Sequence, residues 1–490
     1  MSGITLGSAR LLYRSLDVVR ILTIARWLGP DEMGVYAVAT LIITALEQIS
    51  QTGLHQALIQ RQGDISSYLL PVRTIQALRG IALGLLVYVS APVIAGFFNS
   101  PKSLEVLRIM ALYPVITGFE PLAVTLWQRE LQFTPMVLLN TTASIVSLLI
   151  GLVIALHRPS AWALVWASLS GVLVMTAGAH VLTRRAVLGF SLDWRPVKEI
   201  SGFGFWIFMT GIVSYAFMKG GDWMIGSLLD IRTLALYQMA FLICTAATTE
   251  IGQVVTQISF PVFSLFQDDR VRLQTAFRNS FGLLSLITIG TAGLVCVCAP
   301  DGFRLVLGER WLPALQLIPW LAVWGICSMF SICIAGLFNA LGKPKLWTQT
   351  VFLMAGFFVL GVYPMTRWLG GLGVAILMAC IGLAMQALRY SMISRLIDLP
   401  LVKVFSHVAV PALACFGAVA LTSWLRQILQ GFNSLSGLFF CALCLPAVYA
   451  LLLLLGHKLM DPSPLDLLRN IRSLAPGGRN DGTAVDRVSI

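Results

Sequence analysis

The chain has 490 residues, of which 57% are hydrophobic and only 11% charged, and its mean hydropathy is +0.84. Soluble proteins average about 25% charged residues, so this composition excludes a soluble globular chain and points to a polytopic membrane protein. The net charge of +12 would suggest nucleic acid in a soluble protein; here it is read from where Lys and Arg fall beside the membrane segments, and no nucleic-acid partner is expected.

A bilayer-spanning helix needs about 20 mostly apolar residues. On that rule the chain reads, in order, as about fourteen segments, near 8–28, 35–57, 76–98, 104–127, 135–156, 161–182, 201–224, 234–262, 278–299, 312–338, 346–366, 371–391, 405–425 and 436–456. The expected fold class is therefore an all-α polytopic membrane protein. The N-terminus lacks a clean apolar run ending in a small-residue cleavage site, so the first helix is expected to stay. The tail after His457 contains DPSP, PGG and NDG and reads as surface-lying, then disordered. The nine cysteines read as buried small hydrophobes, because neither Cys296/Cys298 nor Cys441/Cys444 has a His or acidic neighbour.

Orientation follows from the short loops. With the N-terminus cytoplasmic, 20 Lys and Arg residues, among them Arg73, Arg129, Arg389 and Arg395, fall on the cytoplasmic side, against 8, among them Lys102, Arg310 and Arg426, on the other. This predicts that both termini are cytoplasmic and that the helix count is even. No connecting loop exceeds about 20 residues, so the large extramembrane domain that a glycosyltransferase or polysaccharide polymerase uses to hold a sugar donor is missing. There is no GxxxxGK[ST] motif and no convincing strand, so neither nucleotide-driven transport nor a dinucleotide site is expected. No cofactor or metal is expected, and the chain does not read as an enzyme.

The string WLGPDEMGVYAVA at 27–39 has a partner in LLDIRTLALYQMA at 228–240: Leu28, Tyr36 and Ala39 match Leu229, Tyr237 and Ala240, each 201 residues on. A weaker match joins 104–114 to 312–322. Six helices separate the copies, so the halves share one membrane orientation, as alternating-access transporters commonly do. The expected organisation is an N-lobe at 1–190, a C-lobe at 191–400, a C-terminal helix pair at 401–457 and a cytoplasmic tail at 458–490.

ARWLGPDEMGVYAVA, TGLHQALIQR (52–61), FFNSPKSLEVLRIMAL (97–112), LWQRELQF (126–133), GDWMIGSLL (from 220), VLGERWLPALQLI (306–318) and NALGKPK (339–345) occur in this order. Together they resemble the bacterial polysaccharide-export, or lipid-linked oligosaccharide flippase, family, whose superfamily also holds multidrug and toxin extruders and lipid II flippases. The likeness covers roughly residues 5–400. The second copy of the repeat has Ala235 where the family pattern expects Gly. The resemblance implies a flippase of the bacterial inner membrane that moves polyprenyl-pyrophosphate-linked oligosaccharide outward for exopolysaccharide or lipopolysaccharide assembly. It implies as partners the lipid-linked oligosaccharide, the bilayer, and a glycan polymerase and chain-length regulator.

The charges left inside helices then become candidates for the transport path. In the first helix, at 100° per residue, Arg10, Arg14 and Asp17 share about 60° of one face, with Arg20 about 60° beyond Asp17. An intramembrane arginine costs from about 2.5 to more than 10 kcal/mol, so this face implies a wet or protein-lined interior. Arg10, Arg14, Arg20 and Lys219, with Gln51 and Gln253, are the expected pyrophosphate and glycan contacts, because a guanidinium donates two parallel hydrogen bonds to phosphate. Arg26 reads as interfacial. Asp17, Glu47, Glu120, Asp222 and Glu250 are the expected ion-coupling carboxylates; Glu120 lies between Gly118 and Pro121, a sequence suited to a hinge. Local neutralisation of Arg14 by Asp17 and of Lys219 by Asp222 is the structural alternative. The functional alternatives are a multidrug extruder, a lipid II flippase, and a membrane glycan polymerase or ligase.

Overall fold

The computed structural model describes residues 3–50, 65–130, 132–183, 215–429 and 433–456, with Leu54, His55, Leu58, Gly189, Ser191, Asp193, Ile212 and Val213 between them. All regular structure among these residues is helical. Among the described residues, nine helices are long and apolar enough to cross a membrane, or ten if one bent pair counts as a single span. The chain divides into two compact units. The first comprises 1–238 together with 306–311 and 362–371; the second comprises 239–305, 312–361 and 372–490.

In the first unit, α1 (Gly3–Ile49) holds two helices as the sequence predicts, but they join at a single residue, Gly29, with φ 74° and ψ 174°, rather than through a loop over 29–34. That conformation is open to glycine and strained for other residues, and Pro30, which has no N–H to leave unpaired, starts the second stretch. Glu32 fixes the break: its carboxylate accepts from Lys102 Nζ and from the Ala161 amide, each at 3.0 Å. Two helices follow, α2 (Ser66–Phe97) and α3 (Ser103–Met110). The run continues as α4 (Leu112–Gly118) and α5 (Ala123–Arg129). The α3–α4 stretch meets α5 at a bend of 51°. The break falls at Phe119–Leu122, where Pro121 cannot donate to the helix ladder. α6 (Phe133–His157) and α7 (Trp162–Leu182) complete the N-terminal bundle.

Small residues let these helices approach closely, as apolar solvent gives no hydrophobic drive between them. A Cβ on Gly118 would meet Gly80 Cα at 2.8 Å, and one on Gly171 would meet Ser147 Cβ at 3.3 Å. The two repeat copies also meet inside this unit. Gly34 sits against the Ile231 carbonyl, with no room for a side chain. Asp31 pairs with Arg232 at 4.0 Å, and these two positions are themselves 201 residues apart. Trp311, fully buried, donates its indole N–H to the Ala25 carbonyl at 3.1 Å.

α8 (Ile231–Leu265) begins in the first unit and ends in the second. The second unit then holds α9 (Arg270–Gly302), α10 (Ile318–Ala340), most of α11 (Pro344–Ile397), α12 (Leu401–Ile428) and α13 (Ser434–Leu455). α11 is broken at Gly370 (φ 60°, ψ −143°), again at a residue without a Cβ. Its core is aromatic: Phe281 packs 5.4 Å from Phe277 and 4.8 Å from Phe330. The C-terminal pair α12–α13 docks on α9, where Gly290 faces Tyr449 and Gly293 faces Cys415. An ion pair between half-buried Arg426 and buried Asp301 pins this contact, with Arg426 Nη2 2.6 Å from Asp301 Oδ1. All nine cysteines are free thiols.

The Gly34–Ile231 approach predicts that Gly34→Ala forces backbone apart, at about 1–3 kcal/mol for an overpacked site. A melting series in detergent should show a lowered Tm for this variant and none for Gly336→Ala, whose Cβ meets nothing within 4 Å. Equal melting of the two would contradict the close contact.

Candidate functional site

The first unit encloses a cavity of about 500 Å³ among its membrane helices. Four helical stretches each turn polar side chains toward it at the i, i+3, i+4 spacing that places them on one helix face, and a fifth adds a single serine. The first part of α1 gives Asp17 and Arg20; the second gives Tyr36, Thr40, Thr44 and Glu47. Tyr113, Thr117 and Glu120 come from α4 and the break after it, Asn140, Ser144 and Ser147 from α6, and Ser168 from α7.

The polar groups are held rather than loose. Arg20 donates to Ser147 Oγ and lies 3.8 Å from Asp17 Oδ1, while Ser144 donates to that same carboxylate oxygen at 3.3 Å. Tyr36 and Ser168 share a hydrogen bond of 2.7 Å between α1 and α7. At the break in the α4–α5 run, Gln76 of α2 donates its amide to the Thr117 carbonyl at 3.1 Å and to that of Glu120 at 3.3 Å. A carbonyl freed from a helix inside hydrocarbon needs such a partner. Arg79 of α2 caps the end of α1, donating to the Glu47 carbonyl at 3.1 Å and to Ser50 Oγ at 2.8 Å. Among the described residues, three carboxylates and one guanidinium line the cavity, and that guanidinium is already engaged.

The residues singled out from sequence therefore fall in different places. Asp17, Arg20, Glu47 and Glu120 are brought together in the cavity. Arg14 is exposed on α1, three residues before Asp17. Lys219 and Asp222 form their own pair at 2.9 Å, with Gln238 donating to the same carboxylate oxygen at 2.9 Å, and neither lines the cavity. Gln51 lies outside the described residues, as do the side chains of Arg10, Glu250 and Gln253, whose backbones belong to α1 and α8. Among the described residues no group of three or more His, Cys, Asp or Glu could hold a metal ion.

Arg79, Asp301 and the hydroxyl stripes do not stand out in the sequence alone, where Arg389 and Arg426 read as loop cations. Arg389 is 1% exposed inside α11, and Arg426 pairs with buried Asp301. The signal available was the spacing: Tyr36–Thr40–Thr44–Glu47 and Asn140–Ser144–Ser147 repeat at three or four residues in otherwise apolar helices.

Residues 23–316 match a family model described as polysaccharide biosynthesis protein. The chain is similar to the lipopolysaccharide biosynthesis protein WzxC of Escherichia coli (strain K12), 22% identical over 346 residues, covering 69% of this chain and 66% of that one. It is also similar to the teichuronic acid biosynthesis protein TuaB of Bacillus subtilis (strain 168), 26% identical over 313 residues, 62% of this chain and 64% of that one. The match thus spans a little under two thirds of each of these relatives. Among solved structures, the lipid II flippase MurJ in an inward closed conformation shares the fold at a TM-score of 0.73 and 13% identity, over 93% of this chain and 99% of that one.

The role of Gln76 at the helix break gives a direct test. Gln76→Leu removes the side-chain donor from the Glu120 carbonyl, while the Thr117 carbonyl keeps the Glu120 amide at 3.1 Å, and stability should fall by about 1–3 kcal/mol, the cost of an orphaned buried polar group. Thermal melting in detergent measures it; an unchanged Tm would show that the break does not depend on this side chain.

Proposed function

The chain belongs to the polysaccharide biosynthesis protein family, and on that premise we propose that it carries polyprenyl-pyrophosphate-linked oligosaccharide from the inner to the outer leaflet of the bacterial cytoplasmic membrane. The names of its relatives support a glycan cargo, since they concern lipopolysaccharide and teichuronic acid. The fold shared with a lipid II flippase supports movement across the bilayer. The observation that carries the reading is the match of residues 23–316 to the polysaccharide biosynthesis protein family.

We further propose that this cavity is the coupling site. A volume of about 500 Å³ is that of a small-molecule pocket, too small for an oligosaccharide with its pyrophosphate. Glu47 and Glu120 share it, and carboxylates inside a membrane mark ion or proton paths. They take up a proton or sodium ion, and the Glu120 break is the joint at which uptake reshapes the bundle. The Asp17–Arg20 pair stands between this site and the pyrophosphate, which Arg14, Arg10 and Arg20 meet along the first stretch of α1. The termini are cytoplasmic, the two lobes rock about the repeat, and a polymerase and chain-length regulator act on the product outside.

One observation favours a second reading. A cavity with three carboxylates and one arginine suits a cationic drug, as in a multidrug extruder. Deletion of the gene separates the two. The flippase reading expects lipid-linked oligosaccharide to accumulate facing the cytoplasm, with unchanged resistance to cationic drugs. Drug hypersensitivity without that accumulation would favour the extruder. In the deletion strain, Glu47→Gln and Glu120→Gln should restore glycan export at least about tenfold less well than wild type, a loss of about 1.4 kcal/mol. Full restoration by both would remove the carboxylates from the cycle.

A further inference from the structure

The two glutamates of the first-unit cavity are built into the fold differently. One face of α2 holds the backbone of both. Gln76 donates to the Glu120 carbonyl at 3.3 Å, and Arg79, three residues on, donates to the Glu47 carbonyl at 3.1 Å and to Ser50 Oγ at 2.8 Å. The carboxylates themselves are not treated alike. That of Glu47 meets the Thr117 hydroxyl in a hydrogen bond and lies in the field of the Arg79 guanidinium. That of Glu120 has neither a hydrogen bond nor an ion pair among the described residues, and the charge acting on it is that of Glu47.

The other groups around the cavity do not even out this difference. Arg20, its only lining cation among the described residues, is held on Asp17 and Ser147. The second stretch of α1 and α4 add Tyr36 and Tyr113, whose phenols are neutral near pH 7, while α6 and α7 turn only neutral side chains to the space. His55, beside Arg79, shares a hydrogen bond with Thr125 and does not line the cavity. Two anions in one low-dielectric space repel, so one of such a pair takes up a proton first. The partners decide which: a carboxylate beside a fixed cation keeps its charge, and one with no donor and no cation is relieved by losing it. A proton needs a single oxygen, whereas a bare metal cation needs several held around it, and Glu120 has no fixed ligand at its side.

Resting on the reading of this cavity as the coupling site, we propose that its two glutamates have separate roles. Glu120 carries the exchanged proton, Glu47 stays ionised, and Arg79 is the positioning residue that keeps it so. A hydronium ion in the cavity gives its proton to a Glu120 oxygen and leaves as water, and the repulsion between the glutamates ends. Glu120 stands at the 51° bend, so the change of charge falls on the joint of the α4–α5 run.

Infrared difference spectroscopy of the full chain in detergent reads the protonated carboxyl directly. The buffer is stepped from alkaline to neutral pH, above the range in which exposed carboxylates titrate. The wild type should show one carboxylic-acid band. Glu120→Gln should abolish it, because Arg79 keeps Glu47 ionised. Glu120→Gln/Arg79→Gln should bring a band back, now from Glu47, and Glu120→Gln/Arg79→Lys, which keeps the cation, should not; a merely structural Arg79 would let Gln and Lys behave alike. Glu47→Gln, with Arg79 left in place, should keep the band and shift its appearance to more acid pH, whether or not the Arg79→Gln variants fold. A band that survives Glu120→Gln, one that does not return in a folded Glu120→Gln/Arg79→Gln, or one that is unshifted in Glu47→Gln would overturn the proposal. So would a wild-type band change evoked by sodium at fixed pH in place of acid. Glycan transfer that ignores a proton gradient while the Glu120 band is present would refute the coupling reading and leave the assignment of the proton standing.

Discussion

A polar group inside a bilayer has no water to turn to, so the protein must supply its partner. That constraint accounts for where three aspartates in the described helices sit. Asp17 is held by Arg20 and Ser144, Asp222 by Lys219 and Gln238, and Asp301 by Arg426. Backbone obeys the same rule: where Pro121 interrupts the helix, Gln76 reaches across from a neighbour to take up the carbonyls. Glu47, beside Arg79 and Thr117, and Glu120 both face the cavity, and a carboxylate that opens to a cavity can exchange an ion.

The breaks in the helices serve the same end. Gly29 and Gly370 let two long apolar runs turn within a single residue, so that no loop has to be placed at the membrane surface there. The turn at Gly29 brings both stretches of α1 to the cavity, with Asp17 and Arg20 from one side and the Tyr36–Glu47 stripe from the other. The bend of 51° beyond Gly118 delivers Glu120 to the same space.

Much of this was readable in the chain. Apolar runs announce the spans, Gly-Pro announces the break at 29–30, and Gly118–Pro121 announces the hinge around Glu120. What remained hidden depends on contacts distant in sequence. Arg426 and Asp301 lie 125 residues apart, and each, read alone, resembles a charge at the edge of a loop. Arg389 looks like a cytoplasmic cation until α11 is seen to run on to Ile397. The hydroxyl stripes were silent for another reason: Ser and Thr in apolar helices commonly bond back to their own backbone, as Thr44 does to the Thr40 carbonyl at 2.7 Å, so their presence does not reveal which face lines a cavity. The charge balance of the site also differs from what the first helix suggests, because Arg14 is exposed and Arg20 is engaged.

The account stands or falls on whether the carboxylates of the first unit link ion movement to lipid movement. The direct measurement uses proteoliposomes containing the purified chain and a lipid-linked oligosaccharide whose sugar is read from one leaflet by lectin binding, under an imposed proton or sodium gradient. One of the two gradients should accelerate transfer in the wild type, and the Glu47→Gln/Glu120→Gln double variant should lose that acceleration while still melting as the wild type does. Transfer that ignores both gradients, or a double variant that responds to them as the wild type does, would contradict it.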